Sequence, residues 1–348
     1  MIKNLLFVGL LLMCFQTIYS QDLSEESIEN DKENSKHSSF IDLSKTTKFI
    51  DTLLIDRDLN NWSVRMMGIY RQQRFNLENN SSKYVYTPNN PYGIGIGIGT
   101  KKLTLDFTFN FKGHEENPTD RFDLLGSFFK RNHLVDFYYQ HYQGFKVEDQ
   151  NTKEVVFRED IRSISSAIRY MYMFHKSEYS IAAMKSGLIN VDKSTFNFGI
   201  GGFVLFNSQR ADDSIIPHDF LSGSTDYDSV REFQGTGGGI MLGFSTLIVL
   251  PKNFFITLNA APGIGLMEKY VKTDDQNYKP DNPVIHQIGL SAMIGYNAEQ
   301  YYVNLLIANG FYATDFDFGN EVVFGYVNAK LAFGYKLKGK IKRNWKKE

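Results

Sequence analysis

Few side chains in this sequence are arranged for catalysis. His141, in YYQHYQGF, is the best-placed base, and Ser163, Ser165 and Ser166 lie on the segment that follows. A serine, a histidine and a polar orienting group within hydrogen-bond reach would make a nucleophile for acyl transfer, the chemistry of a barrel-embedded lipid acyl hydrolase. Two residues beyond the histidine, where a serine would complete such a site, stands Gln143. The seven histidines, His37, His114, His133, His141, His175, His218 and His286, include no pair at a recognised metal spacing. His114, Glu115 and Glu116 in one loop, and Asp212, Asp213, His218 and Asp219 in another, read as solvated charges. The run GIGIGIG fails the G-x-G-x-x-G spacing: from Gly93 the sixth residue is Ile98, and from Gly95 it is Thr100. GTGGGIMLG fails the same test at Ile240. No catalytic residue, metal site or cofactor is therefore assigned. The informative polar residues are five others: Arg65, Asp106, Asp136, Arg169 and Lys330.

What those five do depends on the elements that hold them. Lys3, the apolar run Leu5–Phe15 and the Ile18-Tyr19-Ser20 site before Gln21 compose a secretory signal peptide over residues 1–20. The sole cysteine, Cys14, lies inside it next to Met13, which argues against lipidation, so the mature chain has no disulfide. Residues 21–60 begin as an acidic, serine-rich and mostly disordered linker. No later run reaches the roughly 18 apolar residues of a spanning helix. The longest, Ile240–Leu250, is broken by Gly243, Ser245 and Thr246. A net charge of −1 leaves no basis for nucleic-acid binding. Aromatics, with 29 Phe, 20 Tyr and 2 Trp, are abundant.

From Trp62 onward the hydropathy repeats every two residues. In KKLTLDFTFNF, Leu103, Leu105, Phe107, Phe109 and Phe111 alternate with Lys102, Thr104, Asp106, Thr108 and Asn110. Successive side chains on a strand point to opposite faces, so one face is apolar and the other polar. Similar segments span 62–75, 93–99, 133–142, 163–174, 179–188, 195–206, 238–249, 254–266, 284–296, 301–308 and 322–337. With 103–111 they make twelve, and most match the 9–11 residues that carry a tilted strand across a bilayer. Tight turns (Thr100-Lys101, Pro251-Lys252-Asn253, Asn297-Ala298-Glu299) fall on one side and long polar loops on the other. Two connections break this rule: Lys176-Ser177 would be a short outer loop, and Gly144–Asp160 a long inner one.

Leu103, Leu105, Phe107 and Phe109 are assigned to the lipid-facing wall, with Val135, Phe137 and Tyr139 of the next strand. Tyr296, Tyr301, Tyr302 and Tyr335 fit an interfacial girdle. Arg65, Asp106, Asp136, Arg169 and Lys330 are assigned to the lumen, where mixed charges either pair and fill it or line a narrow path.

The segments YTPNNPYGIGIGIG, YYQHYQGF, HKSEYSIAAMKSG, KNFFITLNAAPGIG, IGYNAEQYYVNLLIAN and VNAKLAFGY cover most of 62–335. In that order they resemble an uncharacterised family of exported bacterial proteins, a domain of unknown function taken to be outer-membrane barrels. The resemblance implies architecture alone, since the family carries no assigned activity. The chain departs from the usual barrel end in KLKGKIKRNWKKE, seven of whose thirteen residues are basic. An insertion signal would then be internal, around Phe333 and Tyr335.

The expectation is an all-β antiparallel outer-membrane barrel of about twelve strands at 61–337, a basic tail at 338–348, and a periplasmic linker before the barrel. Its partners would be outer-membrane lipid and the barrel-insertion machinery. Its role would be non-enzymatic: a narrow pore, surface binding or envelope structure. The competing class is a soluble exported β-barrel that binds an apolar ligand.

Overall fold

The structure is a computed structural model. It describes residues 59–78, 82–100, 103–111, 117–174, 181–188, 193–215, 230–273, 277–315, 317 and 320–338. The signal peptide, most of the linker and most of the basic tail lie outside these residues. After a 3-10 turn at Leu59–Asn61, the strands run β1 (Trp62–Glu78), β2 (Lys83–Thr87), β3 (Tyr92–Thr100), β4 (Leu103–Asn110), β5 (Asp120–Lys130), β6 (His133–Asp149) and β7 (Val155–Met173). A helix, α1 (Ile181–Ser186), precedes β8 (Thr195–Arg210), β9 (Glu232–Val249), β10 (Phe254–Lys272), β11 (Asn277–Tyr278), β12 (Val284–Asn297), β13 (Tyr301–Asp315) and β14 (Glu321–Lys336).

Twelve of these strands close a ring, β1-β3-β4-β5-β6-β7-β8-β9-β10-β12-β13-β14. The last seam returns to β1 in unbroken antiparallel register from Ser63↔Lys336 to Glu78↔Glu321. Closure gives every strand of the ring a paired neighbour on both sides, the condition a sheet must meet to cross a bilayer. The fold is an all-β, twelve-stranded antiparallel barrel of the transmembrane type. Short turns gather at the end that holds Trp62 and Lys336, here the terminal end; the longer connections gather at the opposite, distal end.

Alternation sets the faces. Ile94, Ile96 and Ile98 point outward on β3, and Phe107 and Phe109 on β4, at 58% and 63% exposure. Gly93, Gly95, Gly97 and Gly99 point inward. The outer faces of β8, β9, β10 and β12 carry Phe198, Ile200, Ile240, Leu242, Leu258, Ile264 and Leu290 in the same manner. Past this apolar belt the outward positions turn polar: Gln72 and Arg74 on β1 and Arg162 on β7. Strands of 17–19 residues, such as β6, β7 and β10, are far longer than a crossing needs, so they project beyond the belt.

Three sequence expectations are corrected. The segment 179–188 is not a strand but contains α1; Ala182, Ala183, Met184 and Lys185 are good helix formers, and the doublet of alanines breaks two-residue alternation. The twelfth strand is instead β5, inside what reads as a loop; Phe122, Leu124, Gly126 and Phe128 form its outer face. Gly144–Asp160 is not a long inner loop but the distal halves of β6 and β7 and their turn. At Gly144, with φ 86°, the register of β6 against β7 shifts by a bulge between Gln143 and Phe145. The extra residue swaps faces, so Phe145 and Val147 point inward where Lys146 and Glu148 would otherwise stand. The connection at 174–194, which contains α1, then falls at the terminal end and is the long exception to the turn rule there, while the β6–β7 turn at 150–154 is a short one at the distal end.

The distal end is packed. β2 pairs with β1 through Phe75↔Tyr86 and with β6 through Thr87↔Lys146, so one strand stands where β3, β4 and β5 stand lower down. The narrowed bore is filled by aromatics. Phe75 stacks on Tyr86 at 4.1 Å, Phe145 meets Phe75 edge-on at 5.4 Å, and Tyr312 stacks on Phe324 at 5.4 Å.

Candidate functional site: a charged chamber inside the barrel

Between the aromatic core and the terminal end lies a chamber of about 200 Å³. Its polar wall rests on the five residues singled out above, all of which the strands turn inward. On β4, Asp106 is the hub: Arg65 of β1 reaches its Oδ1 (Nε at 2.9 Å, Nη2 at 2.5 Å), and Lys330 Nζ of β14 reaches its Oδ2 at 2.7 Å. Two strands away, Asp136 of β6 accepts a bond from Ser127 Oγ at 2.6 Å. It faces Arg169 of β7 at 3.9 Å. Arg169 also donates across the bore to the Tyr326 hydroxyl of β14 at 3.3 Å. The charges thus form two separate groups, one of three residues and one of two, rather than a continuous rail.

The glycine strand makes the first group possible. A Cβ at Gly97 would collide with the Asp106 carboxylate and lie 2.8 Å from Arg65 Nε. One at Gly99 would lie 2.6 Å from Ser186 Cβ, the last residue of α1. The alternation of isoleucine and glycine therefore builds an apolar outer face and a recessed inner one, into which a salt bridge and a helix both fit.

α1 crosses the terminal mouth. Ser186 Oγ donates to the Thr100 carbonyl at 3.3 Å, and Asn304 Nδ2 donates to the Met184 carbonyl at 3.3 Å. Met184 itself packs with Leu247, Phe255, Met293 and Leu306. Lys185, the next residue, enters the chamber wall and donates to Ser127 Oγ at 3.4 Å. Sequence reasoning misses α1 and Lys185 because that segment reads as strand; the paired alanines were the available signal. It also misses Arg71 and Asp123, which sit 3.7 Å apart inside the wall. Tyr142 and Gln140 donate to the same Asp123 carboxylate at 2.9 and 2.7 Å.

One wall of the barrel is thinly laddered. β4 and β5 pair at only three positions, Leu103↔Phe128, Thr104↔Ser127 and Leu105↔Gly126. Toward the distal end they part, and Arg121 fills the gap, donating to the Arg71 and Tyr92 carbonyls at 2.7 and 3.0 Å and to Asn110 Oδ1.

Leu105, Phe107 and Phe109 lie on the outer face as assigned, and Leu103 shares that face half-buried. Tyr302 leaves the girdle: it is buried, points inward, and sits 3.5 Å from Ser63 Oγ. Tyr296 and Tyr301 (5.9 Å apart), Phe254 and Phe333 make an outward aromatic cluster at the terminal end. His141 also points outward, whereas Ser163 and Ser165 point inward. Ser166 shares the outer face, but no hydrogen bond joins His141 to it among the described residues, and Ser163 Oγ accepts from Gln73 Nε2 at 2.9 Å.

Residues 49–336 match the family described as Domain of unknown function (DUF4421). The chain belongs to that family. No curated protein sequence matches the DUF4421 chain. Among solved structures it is similar to the outer membrane protease OmpT of Escherichia coli, at 8% identity and a TM-score of 0.37, covering 80% of this chain and 97% of that one. It is also similar to the β domain of the Bordetella autotransporter BrkA, at 9% identity and 0.36, covering 79% and 99%. The transport unit of the E. coli autotransporter AIDA-I is similar at 13% and 0.36, covering 85% and 97%.

Proposed function

We propose that this protein is exported, inserts in the outer membrane through the barrel-insertion machinery, and works there without catalysing a reaction, as a barrel stoppered at both ends. The observation that carries this reading is the contrast between the two faces of one closed sheet. The outer face is apolar around the ring, while the inner face holds Arg65, Asp106 and Lys330 in one charged group and Asp136 and Arg169 in another. In a water-soluble barrel that many outward isoleucines and phenylalanines would be a single enormous exposed patch. In lipid they are at equilibrium with acyl chains, and the tyrosines near the strand ends meet the headgroups.

The stoppers support one of the remaining roles. α1 covers the terminal mouth and the Phe75–Tyr86–Phe145 cluster fills the distal bore, which favours a binding or structural role over a standing pore. With the turn-rich terminal end on the periplasmic side, the projecting distal strands would stand outside the cell. The purified protein should co-fractionate with outer membranes, need detergent for extraction, and migrate faster on gels before heating than after. Reconstituted in planar bilayers, it should show no steady ion conductance. Release by salt or carbonate washes, or a constant open channel, would contradict the reading.

A further inference from the structure

The chamber walls carry more positive than negative charge. Arg71, Arg169, Lys185 and Lys330 line it, against Asp106 and Asp136. Counting Arg65 and Asp123 behind the wall adds one charge of each sign, so the excess of two remains. The cations also differ in how firmly they are held. Lys330 is engaged at 2.7 Å. Among the described residues, Arg169 reaches Tyr326 at 3.3 Å and Asp136 at 3.9 Å, and Lys185 reaches a serine hydroxyl at 3.4 Å. Arg71 is 5% exposed, meets Asp123 only at 3.7 Å, and its Nε has no hydrogen-bond partner among the described residues. Buried cations of this kind are stable when an anion neutralises them.

The remaining wall is apolar and adaptable. Met171, Met173, Met184, Met241 and Met293 line the same space, with Leu134 and Leu306. Unbranched thioether side chains reshape easily around an alkyl chain. The chamber also reaches the thinly paired seam. Gly126 and Phe137 have outward positions on β5 and β6, yet both line it, and Phe137's ring lies where a Gly126 side chain would stand.

We propose that the chamber is a binding site for a single-chain anionic amphiphile. Its head sits among Lys185, Arg169 and Arg71, and its alkyl chain lies along the methionines. A free fatty carboxylate and a lipid-derived alkyl phosphate share this chemistry. The site depends on the interior of the barrel and not on the medium around it, so it stands or falls separately from the membrane reading.

The full-length protein, folded in zwitterionic nanodiscs or in buffer if it proves soluble without lipid, is titrated by calorimetry. The probes are octanoate, octyl phosphate and octyltrimethylammonium. Saturable binding of one octanoate or octyl phosphate per barrel is expected, with the stronger of the two naming the source. Octyltrimethylammonium, with the same tail and opposite charge, should bind at least tenfold more weakly. Lys185→Ala and Arg169→Gln should each weaken the anion by about tenfold, and Lys185→Arg should keep most of the affinity. Each variant is first shown to be folded by its heat-modifiable migration, or by its circular dichroism in buffer. Equal binding of anionic and cationic amphiphiles, binding of neither anion, or unchanged affinity in both folded variants would overturn the proposal.

Discussion

The two halves of the bore are filled by opposite means. Distally, Phe75, Tyr86, Phe145, Tyr312 and Phe324 pack ring against ring, and the buried Lys269 beside them gives its ammonium to the Asn282 and Asp315 carbonyls and the Thr314 hydroxyl. Toward the terminal end, Arg65, Asp106, Lys330, Asp136 and Arg169 occupy the same radius and leave a chamber beside them. A strand register decides which filling is used. β2 replaces three strands and narrows the distal ring, and the Gly144 bulge turns Phe145 and Val147 into it. Packed rings need no partner to be stable, whereas buried charges need one each. The distal half is thus complete as it stands; the other half can respond to an ion, a proton or a ligand.

Removing the hub carboxylate should break that contrast most severely. Asp106→Ala leaves Arg65 and Lys330 facing each other without an anion. The loss should be about 3–5 kcal/mol in denaturant unfolding of the detergent-folded barrel, and Lys330→Met on that background should recover part of it.

Phe75→Ala tests the other half. Phe75 is 1% exposed and touches both Tyr86 and Phe145. Its truncation should cost about 3 kcal/mol, and the double variant with Asp106→Ala should be additive, because the two fillings share no contact. A strong coupling between them would mean that the halves are not independent.

The smallest effect concerns the projecting distal wall. Arg158 holds Asp160 through two bonds of 2.8 Å and donates to the Ser214 carbonyl at 2.9 Å, while the Asp212 amide donates to Asp160 at 3.1 Å. Burial alone would raise the Asp160 carboxyl, but the Arg158 guanidinium and the Asp212 amide outweigh it and hold it below the ordinary carboxylate value. A lowered folded value stabilises the protein above the unfolded pKa of about 3.9, and that gain vanishes as pH falls through the folded value. Wild type should therefore lose protection of the 211–215 segment against proteolysis below about pH 4, relative to its own value at pH 7. Asp160→Asn should be flat over that range, with a neutral-pH cost of at most about 1 kcal/mol for a partly solvated pair.

The sequence made the closed sheet and its faces readable wherever alternation was strict. Ile94–Ile98, Leu103–Phe109 and Val135–Tyr139 each place one residue type per face, and their registers follow. Arg65, Asp106 and Lys330 were assignable to one interior, but their meeting at a single carboxylate depends on β1 having both β14 and β3 as neighbours. That is a long-range closure no local pattern encodes. Elements were lost where a residue breaks the two-residue rhythm. Gly144 inserts a bulge, paired alanines turn 181–186 into a helix, and Gly126 leaves β5 with a gap in its outer stripe. The chamber was hidden for the same reason: Lys185 belongs to the helix and Arg71 to a distal stretch of β1.

The barrel's place in a membrane depends first on what its outer wall touches. Phe107 and Phe109, at 58% and 63% exposure, lie in mid-belt on β4. An arginine at the centre of a bilayer-facing strand costs about 2–4 kcal/mol. The double variant Phe107→Arg with Phe109→Arg, folded into lipid vesicles and read by its unheated gel mobility, should remain in the slow, unassembled band while wild type moves to the fast one. Assembly of the double variant at wild-type yield and stability would show that those rings meet something other than acyl chains.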